Sequence, residues 1–179
     1  MDPFPIATSR LTLRRFRHED LSSFVAYRSD PQVAQFQDWS SIDNNEARDF
    51  LEHHKQSAFG VPGEWFQIAI ALSETDVLIG DIGTVIKADD STSAEIGFTV
   101  SRENQGKGFA SEAVRAVLRV IFERTAVERI EAITDSRNVA SIALLKSIGM
   151  RQAKIAQVWF KGSTSTEYAF VLRKEDWLA

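Results

Sequence analysis

The stretch "SRENQGKGFASEA", from Ser101 to Ala113, is the most informative segment of this chain. It connects a strand-like segment to an apolar stripe of helical period, and Gly106 and Gly108 flank Lys107 where the period changes. The first amides of a helix have no intrahelical partner and carry partial positive charge, and glycine lets them approach a phosphate closely. The stretch therefore predicts one of two features, a simple glycine turn or an anion cradle.

Before this loop, the hydrophobic pattern predicts helices and an antiparallel meander. Strand-like alternation occurs in Arg10 to Phe16, "WFQIAIAL", "VLIGDIGTVIK" and "SAEIGFTV", and the connections between the last three are short. Helical spacing occurs in "HEDLSSFVAYRSD" and "SIDNNEARDFLEHHKQSAF", and Pro31 interrupts the chain between these two segments.

After the loop, the pattern predicts a strand–helix–strand unit, another helix and a hairpin. The helix that follows the loop has apolar residues at i, i+3, i+4 and i+7 spacing: Ala110, Ala113, Val114, Val117, Leu118, Ile121 and Phe122. A strand is predicted over "VERIEAITD", and a helix over "NVASIALLKSIG" with Asn138 as its N-cap. A hairpin around Lys161–Gly162 follows. We expect an α+β layered fold, a mixed and mostly antiparallel sheet flanked by helices, in a single domain over residues 1–179.

Composition and charge exclude several classes of protein. The chain has no cysteine, which excludes disulfides, cysteine nucleophiles and thiolate metal sites and fits a cytoplasmic location. The opening "MDPFPIATSRLTL" lacks the apolar core of a signal peptide, and no apolar run is long enough to cross a bilayer, so no membrane partner is expected. The formal net charge of −4 argues against nucleic acid as a partner, and Arg14, Arg15 and Arg17 are expected to form a solvated cluster.

The histidines do not indicate a metal site. His53 and His54 are adjacent on a predicted helix, and their side chains therefore point in different directions. No H-E-x-x-H motif is present, so both residues are expected on a helix surface and no metal is expected.

Of three phosphate-binding patterns, one matches the glycine loop. Nothing matches the G-x-x-x-x-G-K-[ST] loop of nucleotide triphosphatases. The dinucleotide pattern G-x-G-x-x-G is a near miss, because Ser111 stands at the third glycine and the loop lies after several antiparallel strands rather than after a first parallel one. The pattern Q-x-x-G-x-A is satisfied by Gln105, Gly108 and Ala110.

With this third pattern, the chain resembles the GNAT acetyltransferase superfamily, and within it the RimJ/RimL-type, ribosomal-protein-alanine N-acetyltransferase branch. Three segments carry the resemblance in the right order: "TSRLTLRRFRHEDL", "AEIGFTVSRENQGKGFASEA" and "DSRNVASIALLKSIGM". The resemblance implies a GNAT fold, acetyl-coenzyme A as co-substrate, and transfer of its acetyl group to a primary amine.

The resemblance also implies which residues hold acetyl-coenzyme A. The loop amides would bind the pyrophosphate, the strand before the loop would pair with the pantetheine arm, and a bulge at Gly97 would help to splay two strands. An asparagine and a serine of the late helix would touch the cofactor arm. The implied cofactor-binding residues are Phe98, Thr99, Val100, Gln105, Gly106, Lys107, Gly108, Phe109, Ala110, Ser111, Asn138 and Ser141.

Proton transfer is where this sequence departs from many relatives. Glu95 is the first candidate for the general base, since it shares a strand face with Gly97, and Asp38, Glu64 and Asp81 are weaker alternatives. Many members of the superfamily have a tyrosine in the late helix that acts as the general acid. This chain has Leu145 at the corresponding position. Ser141 is then the candidate proton donor to the leaving thiolate.

The acceptor is expected to be an amine that is easily deprotonated. At pH 7, neutralising a lysine amine with a pKa of about 10.4 costs over 4 kcal/mol, whereas an α-amine with a pKa near 8 costs about 1 kcal/mol. Sparse acid–base equipment therefore favours a peptide or protein N-terminal α-amine. Phe36 and Trp39, in "FQDWS", are the expected acceptor-binding residues, ahead of Trp65 and Trp159.

Several alternatives stay open at this point. The chain could be a coenzyme A-binding regulatory module without catalysis, which Leu145 would favour, or a small-molecule amine acetyltransferase acting on antibiotics or polyamines. A nicotinamide enzyme has only the near-miss glycine pattern in its favour, and the loop does not distinguish acetyl from longer acyl donors. The resemblance also makes a homodimer possible, but no residue pattern indicates one.

Overall fold

The computed structural model describes residues 2–178, which form one mixed sheet with helices on both faces. The strands are β1 (Ile6–Ala7), β2 (Leu11–Arg14), β3 (Phe66–Leu72), β4 (Leu78–Ile86), β5 (Ser93–Val100), β6 (Arg129–Asp135), β7 (Arg151–Phe160) and β8 (Ser163–Arg173). The helices are α1 (Leu21–Arg28), α2 (Pro31–Ala34), α3 (Asn44–Gln56), α4 (Phe109–Arg124), α5 (Val139–Ser147) and α6 (Lys174–Leu178).

The strand order is β1-β2-β3-β4-β5-β6-β8-β7, and β5–β6 is the one parallel pair among residues 2–178. The expected meander corresponds to β2 to β5, and the strand–helix–strand unit corresponds to β5-α4-β6. The α+β fold, with its mostly antiparallel sheet, is therefore confirmed. No helix in the described part of the chain is both long and apolar enough to span a membrane.

The sheet is covered on both faces, which explains a difference from the sequence expectation. The predicted stripe of α4 packs on one face, in the cluster that also holds Ile68 and Ile70. The other face carries α1 and α3, whose cluster includes Ala69 of β3. Alternation predicted one buried face for β3, but Ala69 and Ala71 are fully buried as well, because alanine fits beneath a closely packed helix.

The parallel ladder between β5 and β6 is short, and this opens a slot in the sheet. It pairs Ser93 to Glu95 with Arg129 to Glu131 and then ends, whereas the ladder of β5 with β4 continues to Val100. The β6-facing edge of β5 beyond Glu95 therefore has no strand partner within residues 2–178. The expected bulge at Gly97 is absent from these residues, since Gly97 pairs with Gly83 in an unbroken register.

The ends of the helices follow local side-chain chemistry. Asp43 caps α3 by accepting from the amides of Asn45 and Glu46, and Glu46 accepts in turn from the Asp43 amide. Pro31 begins α2 behind an Asp30 cap rather than only interrupting the chain, since proline suits the first position of a helix. The sequence patterns missed α2, β1 and α6 because these elements are too short to show a period.

The expectation of a solvated arginine cluster is wrong for Arg14. Its guanidinium is buried and lies 2.8 Å from carboxylate oxygens of both Asp20 and Asp76. Arg17 also pairs with Asp76, on the surface. A buried arginine is stable only when its charge is compensated, and the two carboxylates provide that compensation. Arg14 thus fastens β2 to the start of α1 and to the turn before β4.

Candidate active site

The glycine loop adopts the backbone that only glycine takes readily. Gly106 and Gly108 have φ angles of +72° and +82°, and Gly108 is the N-cap of α4. The amides of Phe109, Ala110 and Ser111 lie in the first turn of α4, where no intrahelical acceptor exists for them. Residues 105–108 are exposed, so the loop presents free donors and the positive helix end to solvent.

A brace from the start of β2 holds this loop in place. Arg10 donates to the Lys107 carbonyl at 2.9 Å and pairs with the Glu112 carboxylate at 2.7 Å. Its guanidinium also lies 4.5 Å from the centroid of the Phe109 ring. Thr8 donates to the same carboxylate at 2.6 Å. Local sequence patterns do not reveal this brace, because Arg10 and Glu112 are 102 residues apart.

One side chain ties the loop to β5, and another caps α5. Gln105 donates from Nε2 to the Val100 carbonyl at 2.9 Å, which ties the loop to the end of β5. Asn138 is the N-cap of α5, as the sequence predicted, and its Oδ1 accepts from the Ser141 amide at 3.1 Å. The cap uses only the amide oxygen, so the Asn138 Nδ2 group keeps its own donors for a ligand.

The position that corresponds to the usual tyrosine faces the protein interior. Leu145 is fully buried in the cluster beneath α4. Ser141 lies one turn earlier on α5 and is half-buried.

A cleft of about 1200 Å³ lies on the face of the sheet that carries α1 and α3. It is lined by β5 residues at the slot and by most of the residues that the sequence singled out for catalysis or acceptor binding, but Ser141 is not part of the lining. Those lining residues are Phe36, Asp38, Trp39, Glu64, Trp65, Asp81, Glu95, Gly97, Phe98 and Thr99. Trp159 is absent from the lining, and its side chain is 76% exposed.

The floor of the cleft has no side chain where two glycines face each other. Gly97 of β5 pairs with Gly83 of β4. A Cβ at Gly97 would have no heavy atom within 4 Å, whereas one at Gly83 would meet the Gln67 side chain at 2.8 Å. The floor is therefore open at Gly97, which leaves room for reacting groups beside the slot.

Glu95 lies at the apex of the slot, in the last residue pair before β5 and β6 part. Its register partner is Glu131, which forms an ion pair with Lys87 at 2.6 Å. Burial raises the pKa of Glu95, the Lys87 charge opposes this rise, and the charges of Glu131 and Glu167 add to it. A carboxylate with a raised pKa is a better proton acceptor than an ordinary one.

Asp81 is less suited to accept a proton. It is buried, its carboxylate lies 3.2 Å from the Arg28 guanidinium, and it accepts a hydrogen bond from the Tyr27 hydroxyl. Burial and the Asp81 charge raise the pKa of Tyr27, so this hydroxyl stays protonated and keeps donating. The lone pairs of Asp81 are thus engaged within the protein.

His54 corrects a second expectation, because it lies in the wall of the cleft and not on a helix surface. Its side chain is 8% exposed and its ring packs 4.3 Å from the Phe50 ring, centroid to centroid. Burial, with a smaller contribution from the neighbouring His53 charge, lowers the pKa of His54 to about 4. It is therefore neutral at neutral pH.

Comparison with known proteins fits this geometry. Residues 10–151 match the family described as "Acetyltransferase (GNAT) domain". The chain belongs to the GNAT acetyltransferase family. A relative in Bacillus licheniformis, the uncharacterised N-acetyltransferase p20, is 32% identical over 173 residues, which cover 95% of this chain and 96% of the relative. The GNAT chain is accordingly an enzyme, an acyltransferase.

Solved GNAT structures share this fold along most of their length. The Vibrio cholerae spermidine N-acetyltransferase, in complex with CoA and spermine, has a TM-score of 0.81 at 18% identity and covers 96% of this chain and 100% of its own. Mycobacterium smegmatis RimJ, in complex with CoA-disulfide, has a TM-score of 0.80 at 20% identity and covers 93% of this chain and 83% of its own. At these identities the likeness shows the fold alone.

Acetyl-CoA is the co-substrate of the GNAT family, and the residues of this chain fit it. The exposed amides of the glycine loop suit an anionic pyrophosphate. The unpaired edge of β5 beyond Glu95 suits an arm with amide groups of its own. The near-miss G-x-G-x-x-G pattern does not indicate dinucleotide binding. The strand before the loop is a late strand of a meander and not the first strand of a parallel sheet.

Proposed function

We propose that this GNAT enzyme transfers the acetyl group of acetyl-CoA to a primary amine bound in the cleft, with a peptide or protein N-terminal α-amine as the preferred acceptor. The observation that carries the proposal is the meeting of slot and cleft, since β5 leaves β6 at the point where Glu95 and Gly97 face the cleft. A donor held along β5 and an acceptor in the cleft would therefore meet at one place.

The charge of the lining supports an amine as acceptor. Six carboxylates line the cleft, and Arg28 is the one arginine or lysine side chain there. Four of them make no ion pair within residues 2–178: Asp38, Glu64, Glu95 and Glu167. A cleft with this excess of negative charge attracts ammonium groups, and aromatic faces such as those of Phe36 and Trp39 favour them too.

Two residues would carry the proton transfers. Glu95 would accept the proton that the amine must lose before it attacks the thioester carbonyl, which then passes through a tetrahedral intermediate. Ser141, on the α5 turn that Asn138 caps, would donate to the leaving thiolate. The donor would be held by the residues named from the resemblance, with its pyrophosphate on the amides of residues 105–111 and its arm along Phe98 to Val100.

The preference for an α-amine follows from the scarcity of bases. Asp81 is engaged with Arg28 and Tyr27, which leaves Glu95 as the half-buried carboxylate beside the slot. Carboxylates are weak bases at pH 7, so a site that relies on one acts best on an amine whose neutral form costs little free energy at that pH.

A polyamine is the second candidate acceptor, and the same carboxylates favour it. A spermidine acetyltransferase is among the structural neighbours, and a polyamine carries several ammonium groups that four unpaired carboxylates would attract. This candidate requires the enzyme to deprotonate a more basic amine.

The test is thiol release from acetyl-CoA with a panel of acceptors at pH 7: peptides that start with Ala or Ser, polyamines, aminoglycosides and free amino acids. The chain has no cysteine, so a thiol reagent reports only the coenzyme A that is released. Peptides should give the highest kcat/KM. A higher value for polyamines would replace the α-amine proposal. Silence across the panel with bound acetyl-CoA would indicate a regulatory module or an acceptor outside the panel.

Four further statements stay predictions. A single domain over residues 1–179 is tested by one cooperative unfolding transition. A homodimer is tested by sedimentation, and a cytoplasmic location by cell fractionation. Longer acyl donors are tested by replacing acetyl-CoA with succinyl-CoA in the same assay.

A further inference from the structure

One wall of the cleft holds buried polar atoms that have no hydrogen-bond partner. Within residues 2–178 there are four such side-chain atoms: Arg28 Nε, Trp39 Nε1, His54 Nδ1 and Gln67 Oε1. All four side chains line the same cleft. Buried polar groups in folded proteins are nearly always paired, so their concentration in one cavity indicates that a ligand supplies the missing partners.

Three of these side chains form one contiguous surface, which we call the donor wall: Arg28 of α1, Trp39 of the segment before α3, and His54 of α3. The Arg28 Cζ atom lies 3.7 Å from the Trp39 ring centroid and 5.0 Å from that of Phe50. The Phe50 ring in turn packs on His54. Arg28 and His54 are each more than nine-tenths buried.

The chemistry of the donor wall selects a neutral oxygen. The Nε groups of arginine and tryptophan donate and never accept, so their partner must be a hydrogen-bond acceptor, and the neutral His54 ring joins them as a donor in the tautomer that carries its proton on Nδ1. The Arg28 charge is already balanced by Asp81 at 3.2 Å, and other carboxylates of the cleft repel anions. A carboxylate or phosphate is therefore disfavoured, and a carbonyl oxygen fits.

The strand register relates the open floor to Arg28 by way of Asp81. Asp81, which holds Arg28, is paired with Thr99, and both lie two residues along their strands from the Gly83–Gly97 pair. Two residues of strand span about 7 Å. An extended peptide advances about 3.5 Å per residue, so an amine placed at Gly97 puts the first or second carbonyl of its peptide near the donor wall.

We propose that Arg28, Trp39 and His54 form an acceptor subsite that binds a backbone carbonyl of the acceptor, so that the enzyme selects α-amines of peptides and amino-acid amides over amines that lack a carbonyl. This inference rests on the proposed acetyl transfer to an amine. It goes further by assigning the selectivity to three side chains of the cleft wall.

The test uses a variant that removes one hydrogen-bond donor and keeps an aromatic ring at the same position. Trp39→Phe removes the Nε1 group while it retains an aromatic face for Arg28. The assay compares kcat/KM of the parent and the variant for an alanine-initiated dipeptide amide and for propylamine, which has no carbonyl. Each acceptor serves as its own reference, so differences in amine pKa cancel. We expect a loss of about 3- to 10-fold for the peptide and none for propylamine, as for one hydrogen bond to a neutral partner.

Trp65→Phe is the matched control, because Trp65 lines the same cleft but is 41% exposed and is not among the unpartnered side chains. It should affect both acceptors alike. An equal effect of Trp39→Phe on both acceptors, no effect on either, or turnover of propylamine but not of the peptide would overturn the carbonyl subsite and leave amine acetylation standing. A parent that uses the peptide but not propylamine, with a loss for the peptide that is larger in Trp39→Phe than in Trp65→Phe, supports the subsite. Absence of turnover with every amine would remove both proposals.

Discussion

Glu95 lies beside the slot because the β5–β6 ladder ends directly after it. If it is the base, Glu95→Gln should lower kcat by about 100-fold or more, as expected when a general base is lost, and should remove the acid limb of the pH–rate profile. Steady-state kinetics between pH 5 and 9 measure both effects.

Glu131→Gln is the companion variant for that prediction. Burial and the Glu131 charge raise the pKa of Glu95, and Lys87 is now paired with Glu131. Removal of the Glu131 charge frees Lys87 to act on Glu95, and both changes lower the pKa of Glu95. The acid limb should therefore move to lower pH with kcat largely retained. An unchanged limb would argue that another group titrates.

Gly97 gives a second prediction at the residue scale. A methyl group there would touch nothing in the protein, so Gly97→Ala should fold normally, with a free energy of unfolding equal to or slightly above that of the parent. The methyl would stand on the open floor of the cleft, and we expect at least a tenfold loss in kcat/KM for the amine. Thermal unfolding and kinetics on one preparation separate the two effects, and full activity would place the reaction elsewhere.

At the scale of elements, the brace between β2 and α4 should control donor binding. Arg10 holds the Lys107 carbonyl and neutralises Glu112 in the first turn of α4. Arg10→Ala should raise the Kd for coenzyme A about 5- to 30-fold, because the loop loses its anchor and an uncompensated carboxylate remains beside the anion site. Titration calorimetry measures this change.

Arg10→Ala combined with Glu112→Gln should recover part of that affinity, since the repelling charge is then gone. Arg151→Ala is the control, because Arg151 is an exposed arginine at the edge strand β7, and its removal should leave the Kd unchanged. A Kd unaffected by Arg10→Ala would mean that the loop keeps its shape unaided.

Sequence patterns predicted the elements that have a long hydrophobic period or a capping residue. They missed the contacts between residues that are distant in the sequence. The stripe of α4 and the Asn138 cap of α5 were predicted correctly, because each depends on spacing within one segment. The brace of Arg10, the burial of Arg14 and the place of His54 depend on partners tens of residues away, which local pattern does not reveal. Phe36 and Trp39 were expected to bind the acceptor because the early helical region shapes the acceptor groove in the family that the sequence resembles. Both line the cleft, and their contact with the acceptor stays a prediction.

For the whole molecule, buried His54 should make stability depend on pH. Its pKa is about 4 in the folded protein and about 6.5 when unfolded, so between these values only the unfolded chain binds the proton. The free energy of unfolding should then fall as the pH is lowered from about 6.5 to about 4, by up to about 3 kcal/mol from this group. Urea unfolding at pH 7.5, 6 and 5 measures the slope.

His54→Leu should reduce that slope, whereas His18→Gln should not, because His18 is exposed. The difference between variant and parent isolates His54 from the carboxylates that titrate in the same window. An unchanged slope in His54→Leu would show that His54 is solvated in the native protein.

The short β5–β6 ladder also bears on how the molecule moves. Three residue pairs are the whole strand-to-strand connection between β1–β5 and β6–β8 in the described chain, so the sheet is two half-sheets that share a narrow hinge. These two half-sheets should move relative to each other until the pantetheine arm of acetyl-CoA bridges them. Addition of coenzyme A should therefore slow hydrogen exchange at Phe98 to Val100 far more than in β3. The bound co-substrate would then connect the two half-sheets into one continuous sheet.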